Sequence, residues 1–391
     1  MTSILIEKIP LLVTNDPAQD GSALGIIHDG AIVVEDGVIA WVGSSSVASY
    51  DGHDQIISAA NRCVIPGFVD SHTHLVFAGD RAQEFSARMS GEKYTAGGIA
   101  ATVAATRLAT NTNLGKSALN LYNEALNSGT TTIEIKSGYG LTVVDEKRSL
   151  EIARALTPES TFLGAHVVPV EYRNDVAGYV DLVCGEMLDA AAPFAKWIDV
   201  FCDRGAFTPD QTRKILTFGI SRGLLPRLHA NQLEEGAGIA IGVELDCASV
   251  DHVTYASDAD LALLANSNTV ATLLPGAEFS TRSKYPDARR FLEAGITLAI
   301  ASDCNPGSSY STNMSFMIAV AVRDMHFSPE QALWSATRGG GLALRRDDVG
   351  LLKPGAKANF LFLKSSTYIH LAYRPGVQLI DEVWRNGIRI Q

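Results

Sequence analysis

The sequence predicts an α/β fold built on a closed (β/α)8 barrel. Three observations carry that expectation: strand-like and helix-like segments alternate over about residues 65–348, the strand candidates number about eight, and several of them end in a histidine or a carboxylate. Alternation implies a parallel sheet with helices outside it. Open sheets share the pattern, and the number of strands is what favours closure. The 391 residues leave room for a barrel of ~250 residues and an addition.

Before the barrel, residues 1–64 read as short β-strands. Ala31-Ile32-Val33-Val34 and Val38-Ile39-Ala40-Trp41-Val42 flank Asp36-Gly37, a strong hairpin signal. The first barrel strand leads into Asp70-Ser71-His72-Thr73-His74. A helix over about 114–128 stops at Gly129, and Thr130–Ile135 is a strand running into Lys136-Ser137-Gly138-Tyr139. Helices over about 145–156 and 176–191 alternate with strands at Thr161–His166 and Trp197–Phe201. Thr208-Pro209-Asp210-Gln211 and Ser328-Pro329-Glu330-Gln331 both read as capping boxes with proline in the first turn. Further strands end at His229, His252, Leu274 and Asp303. The chain becomes β-like again at Ala358–Leu363 and Glu382–Ile388. Both termini are therefore expected to form one small β-sandwich (1–64 and 349–391) beside a barrel domain at 65–348.

Hydrophobic residues make up 46% of the chain and charged ones 19%, so a sizeable core forms and global disorder is excluded. The net charge of −11 argues against non-specific nucleic-acid binding, yet a small pocket sets its own field and can still take an anionic substrate. Five scattered cysteines without a Cys-x-x-Cys suit a reducing compartment. Neither a signal pattern nor an apolar run of ~20 residues is present, which predicts a soluble cytoplasmic protein that does not engage a membrane.

In a barrel of this type the active site lies at the C-terminal ends of the strands. The polar residues expected there are His72 and His74, the stretch Glu134–Tyr139, then His166, His229, His252 and Asp303. Alone, a His-x-His pair is as readily two unrelated histidines; several histidines at successive strand ends are not. Two imidazoles from one strand, a third from another and a carboxylate can hold one metal ion, and that set suits zinc or iron better than magnesium or calcium. Bound metal can lower the pKa of a water from 15.7 to about 7. A base must then take the second proton and pass it to the leaving group. His252, next to Asp251, and Asp303 are candidates for that work.

The ordered set Pro66-Gly67-Phe68-Val69-Asp70-Ser71-His72-Thr73-His74, His229, His252 and Ser302-Asp303 resembles the amidohydrolase superfamily. The resemblance implies a distorted barrel with an appended β-sandwich. It also implies a divalent or trivalent ion, zinc or iron, one per subunit, held by His72, His74, His229 and Asp303. Two-metal members bridge their ions with a carboxylated lysine. Lys136 is a candidate for that role but lies one strand too early, so a single ion is expected.

The stretches His74–Arg81, Lys136–Leu141, His166–Pro169, Leu273–Gly276 and Asp303–Ser309 are similar to one group of that superfamily, and the similarity covers essentially the whole chain. It implies hydrolytic opening of the ring of 4-imidazolone-5-propanoate to N-formimidoyl-L-glutamate in histidine degradation. By that resemblance Arg81, Tyr139, His166, Gln232 and Ser308 contact the ring compound, while Tyr139, Asn305 and Gly307 contact the opened product. The chemistry fits these residue types. Arg81 offers a planar fork to a carboxylate, and His166, Tyr139 and Gln232 offer hydrogen bonds to the ring or a developing oxyanion. The group forms dimers, so a homodimer is the implied assembly. A related deaminase would use the same catalytic parts, and a barrel that had lost catalysis would have no need to keep them. Three departures stand out: Asn231, where an acidic residue is usual, the glycine-rich Thr337-Arg338-Gly339-Gly340-Gly341 in an expected helix, and the loosely matching Tyr373-Arg374-Pro375-Gly376-Val377.

Overall fold

The computed structural model describes residues 2–91 and 98–390. The chain divides into two compact units, one from residues 1–71, 124–132 and 313–391, the other from 72–123 and 133–312. It opens with strands β1 (Ser3–Val13), β2 (Ile26–Glu35), β3 (Val38–Ser44), β4 (Gln55–Ser58), β5 (Val64–Pro66) and β6 (Phe68–Asp70). The turn between β2 and β3 falls on Asp36 and Gly37, at φ 46° and 83°. Two positive φ angles in a two-residue loop are what the right-handed twist of a hairpin needs, and Asp-Gly provides them.

The barrel strands follow: β7 (Thr130–Lys136), β8 (Glu159–Ala165), β9 (Trp197–Cys202), β10 (Leu225–Pro226), β11 (Leu228–Ala230), β12 (Ser249–His252), β13 (Val270–Leu273) and β14 (Leu298–Ile300). Their order is β14-β13-β12-β11-β9-β8-β7-β6, with the two-residue β10 beside β9, and the registers from β7 to β14 are all parallel. Closure occurs at the segment His72–His74. The Thr73 carbonyl accepts from Lys136 N at 2.9 Å on one side; on the other, Thr73 pairs with Cys304 and His74 N donates to Cys304 O at 2.9 Å. The fold is thus a (β/α)8 barrel, as the strand count predicts.

Helices follow the strands, among them Asn111–Asn127, Val143–Leu156 and Pro209–Ser221. Both capping boxes form, at Thr208/Gln211 and Ser328/Gln331. The helix expected over 176–191 is interrupted by a π-turn at Val183–Met187, where Gly185 leaves the helical region (φ −108°, ψ −111°). The absence of a Cβ lets the chain change course there. Three strand ends also differ from expectation. Strand β8 stops at Ala165, one residue before His166, and β13 stops at Leu273 because Pro275 opens a helix. Strand β14 stops at Ile300, so Asp303 stands three residues beyond it, in a left-handed conformation (φ 51°).

Strands β15 (Phe360–Leu363), β16 (Ile380–Arg385) and β17 (Ile388–Arg389) complete the chain. They join the N-terminal strands in one sheet, β17-β16-β15-β5-β1-β2-β3, with β4 pairing β1. A bulge between Ile6 and Ile9 breaks the β1–β2 register. Residues from both ends, including Ile6, Leu12, Val64, Phe360 and Trp384, share one buried core. The expected strand Glu382–Ile388 is instead a hairpin, turning at Asn386 (φ 50°) and Gly387 (φ 72°).

Candidate metal centre and active site

The strand-end histidines converge. His72 Nε2 lies 3.3 Å from His74 Nε2, and Asp303 Oδ1 lies 3.5 Å from the first and 3.6 Å from the second. Ligands bound tetrahedrally at 2.0–2.2 Å stand about 3.4 Å from one another, so this triangle has the dimensions of three corners of a coordination shell. A second trio, His72, His229 and His252, shares His72 with the first. The His229 ring is 4.4 Å from His72 and 5.5 Å from His74, centroid to centroid. His252 stands 5.7 Å from His72 and 5.4 Å from His229. All of these side chains are buried.

Which ring nitrogen faces the centre is set from behind. His72 Nδ1 is 2.7 Å from Asp251 Oδ2, and His229 Nδ1 is 3.0 Å from Asp199 Oδ2. A carboxylate on Nδ1 fixes the tautomer and leaves Nε2 as the lone-pair donor. Burial, with the positive charge of Lys136 added for His72 and a neighbouring imidazole for the others, holds His72, His74 and His252 well below the usual histidine range. His166 is pushed down to about 4, mainly by burial and then by His229. Neutral imidazole is the ligating form, so the donor set fits a metal ion. Asp303 is pushed well above the carboxylate range by burial, against hydrogen bonds from Asn305 and Ser308. The backbone at His252 (φ 74°), Val253 (φ 47°) and Asp303 is left-handed. Non-glycine residues held in that region cluster at functional sites.

A cavity of about 30 Å³ opens beside this centre, lined by His74, Arg81, Tyr139, His166, Gln232, His252, Asp303, Asn305 and Ser308 among others. Of the residues expected at the site, His72 lies behind that wall and Gly307 outside the lining. His166 stacks on His74 (5.3 Å, 22°), and Tyr139 stands 5.3 Å from His166. The Asn305 side chain works within its own loop: Oδ1 accepts from Gly307 N (2.8 Å) and Ser308 N (2.9 Å), and Nδ2 donates to Asp303 O (2.6 Å). Ser308 Oγ in turn donates to Asp303 Oδ2 (3.2 Å). Gly307 lies close under Arg81: a Cβ there would come 2.2 Å from Nη1, so the guanidinium would have to shift. Gln232 anchors through its backbone, N to Asp203 Oδ2 at 2.8 Å.

Several residues at the site are not evident from strand-end chemistry. Asp199 sits inside an apolar strand, Glu84 pairs with Arg81, and Arg227 is buried to 0% exposure. The charged residue in Trp197-Ile198-Asp199-Val200-Phe201 is a signal in itself, because a buried carboxylate needs a partner. Asn231 (φ 51°) occupies a left-handed turn position that Asn tolerates, and its Nδ2 donates to Gly236 O at 3.2 Å.

The Amidohydrolase family model matches residues 227–389. The chain is 61% identical over 387 residues to the imidazolonepropionase of Mycolicibacterium smegmatis, covering 99% of this chain and 97% of that protein. To the imidazolonepropionase of Salinispora tropica it is 60% identical over 390 residues, covering 99% of each. Among solved structures, guanine deaminase from C. acetobutylicum superposes with a TM-score of 0.74 at 17% identity over 100% of both chains. Atrazine chlorohydrolase from Arthrobacter aurescens TC1 gives 0.73 at 17%, over 99% of this chain and 95% of that one. These two likenesses concern the fold alone. With 60–61% identity to such relatives over nearly the whole chain, the chain belongs to the imidazolonepropionase family of amidohydrolases.

Proposed function

We propose that the chain hydrolyses the ring amide of 4-imidazolone-5-propanoate, giving N-formimidoyl-L-glutamate. The observation that carries this reading is one cavity in which His74 and Asp303, two corners of the metal triangle, meet Arg81, Asn305 and Ser308. The triangle serves an amide carbonyl, and the guanidinium serves a carboxylate tail.

His72, His74, His229 and Asp303 hold one ion in this reading, zinc or iron. When bound, the ion lowers the pKa of a water toward neutrality. His252, buried and neutral, takes a proton from the attacking water. Asp303, steadied by Ser308, takes the water's second proton and hands it to the ring nitrogen as the C–N bond breaks, while the proton on His252 is released with the new carboxylate. Tyr139, His166 and Gln232 line the cavity where the ring and its developing oxyanion would lie. Arg81 takes the propanoate, and Asn305, Gly307 and Ser308 shape the loop that faces it. A cytoplasmic location, supported by five buried cysteines that form no disulfide, belongs to the same reading, as does a homodimer.

Freshly prepared 4-imidazolone-5-propanoate, followed by its ultraviolet absorbance, tests the proposal. Its absorbance should decay with enzyme, persist after chelator treatment, and decay again when zinc is restored. Release of ammonia in place of ring opening would assign the site to a deaminase.

A further inference from the structure

Behind the metal centre lies a charge network that the proposed reaction does not use. Lys136 is fully buried, and its Nζ is 3.1 Å from Glu134 Oε1, 2.9 Å from Asp199 Oδ2 and 4.0 Å from Asp251 Oδ2. The last two oxygens are the same atoms that meet the outer nitrogens of His229 and His72. Glu134 reaches the third arm of the site. Its Oε2 accepts from Thr73 N at 3.0 Å, between His72 and His74, and its Oε1 accepts from Thr161 Oγ1. Arg227 adds a second cation on Asp251, Nη2 to Oδ2 at 3.2 Å. Asp303, by contrast, is oriented from its own loop by Ser308.

We propose that Lys136 is a positioning residue for the metal centre, an internal cation that fixes Asp199 and Asp251 and through them the ligating nitrogens of His229 and His72. Each carboxylate has two oxygens and could turn either toward its histidine. A common ammonium removes that freedom and sets both imidazoles from one point. Charge balance agrees. Glu134, Asp199, Asp251 and Asp303 supply four negative charges when ionised, Lys136 and Arg227 return two, and one divalent ion closes the set. A second metal ion would leave this buried set with excess positive charge. The lysine therefore does from one strand what a second ion would do from outside. The inference rests on the metal reading of the site and is independent of the substrate.

Lys136→Met alone would take the nearest cation from two buried carboxylates, Glu134 and Asp199, and is expected to fold poorly. The deciding variant pairs it with Glu134→Gln, which removes one charge of each sign. Zinc alone is the probe, with affinity read by competition against a chromophoric chelator and stability by thermal melting of the metal-free protein. The double variant should bind one zinc roughly 10- to 100-fold more weakly, as loss of an outer partner of a ligating histidine typically does. On the proposed substrate its kcat should fall while KM changes little, since the tail-binding residues lie elsewhere. Glu134→Gln by itself should shift zinc affinity in the same direction by less. Unchanged zinc affinity in both variants would overturn the proposal, even with a lowered melting temperature, because a purely structural lysine moves only the latter. Failure of the ultraviolet assay with intact zinc effects would instead remove the substrate reading and leave this one standing.

Discussion

Arg81 grips Glu84 through two parallel bonds, Nε to Oε2 at 2.8 Å and Nη2 to Oε1 at 2.6 Å. The guanidinium is buried and Glu84 is about a third exposed (34%), so the pair sits at the edge of the site, with the acid on its wetter side. A carboxylate is therefore already in the fork that the substrate tail would use. Arg88, which also meets Glu84 (3.1 Å) and donates to Gly307 O (3.0 Å), ties the pair to the loop beyond Asp303.

Arg81→Ala should raise KM for the propanoate substrate roughly 10- to 100-fold, the loss expected for hydrogen bonds to a charged group. A lactam without the tail should be hydrolysed almost as well by the variant as by the parent. Steady-state kinetics on the two compounds separate binding of the tail from damage to the chemistry. Equal losses on both would remove Arg81 from tail recognition.

Gly307→Ala tests the same contact from the other side. The added methyl would press on Arg81 Nη1 at 2.2 Å and Cζ at 2.8 Å. One of the two must move, and the guanidinium is clamped by Glu84. KM should rise with kcat and zinc content close to parental, which kinetics and metal analysis would check.

How much of this was legible in the sequence depended on whether a residue's meaning was local. His72, His74, His229 and His252 could be placed because imidazoles at successive strand ends have few other uses. Asp36-Gly37 could be placed because a hairpin turn is written in two residues. Asn386-Gly387 carries the same signal, yet its apolar flanks Val383-Trp384 and Ile388 read as one strand across it. Lys136 reads in the sequence as a candidate metal bridge. Its partners Asp199 and Asp251 lie on strands far along the chain, and no local pattern joins them. Asp303 looked like the end of a strand because Leu298–Ala301 is apolar; the chain in fact leaves the sheet at Ile300 so that the carboxylate can turn toward the histidines.

The glycine-rich stretch near 340 shows a sequence oddity with a packing cause. Residues 335–343 are helical as expected, but a Cβ on Gly340 would stand 2.3 Å from the Val69 carbonyl oxygen. Backbone cannot yield as a side chain can. Gly340→Ala should cost about 1–3 kcal/mol, the range for overpacking, although alanine is the better helix former by ~1 kcal/mol. Denaturant melts would show it, and a stabilised variant would contradict the close approach.

Glu278 gives the stability of the chain a pH dependence. Its side chain is buried, Thr254 Oγ1 donates to Oε1 at 2.7 Å, and Oε2 has no hydrogen-bond partner among the described residues. Burial pushes the carboxyl from its ordinary 4.5 up to about 7, the Thr254 bond offsetting only part of the cost. The folded state therefore holds this proton more tightly than the unfolded chain does. The contribution is fully present below pH 4.5 and is lost as pH rises through 7, up to about 3 kcal/mol in all. Asp199 and Asp251 act in the opposite sense and Asp303 in the same one, so the measurement must be differential. Glu278→Gln, compared with the parent in urea melts at about pH 5 and about pH 8, should close most of the gap between the two curves, because the amide keeps the Thr254 partner without a proton to lose. A gap that survives the substitution would mean that Glu278 is ionised in the folded protein, its second oxygen solvated by water within the barrel.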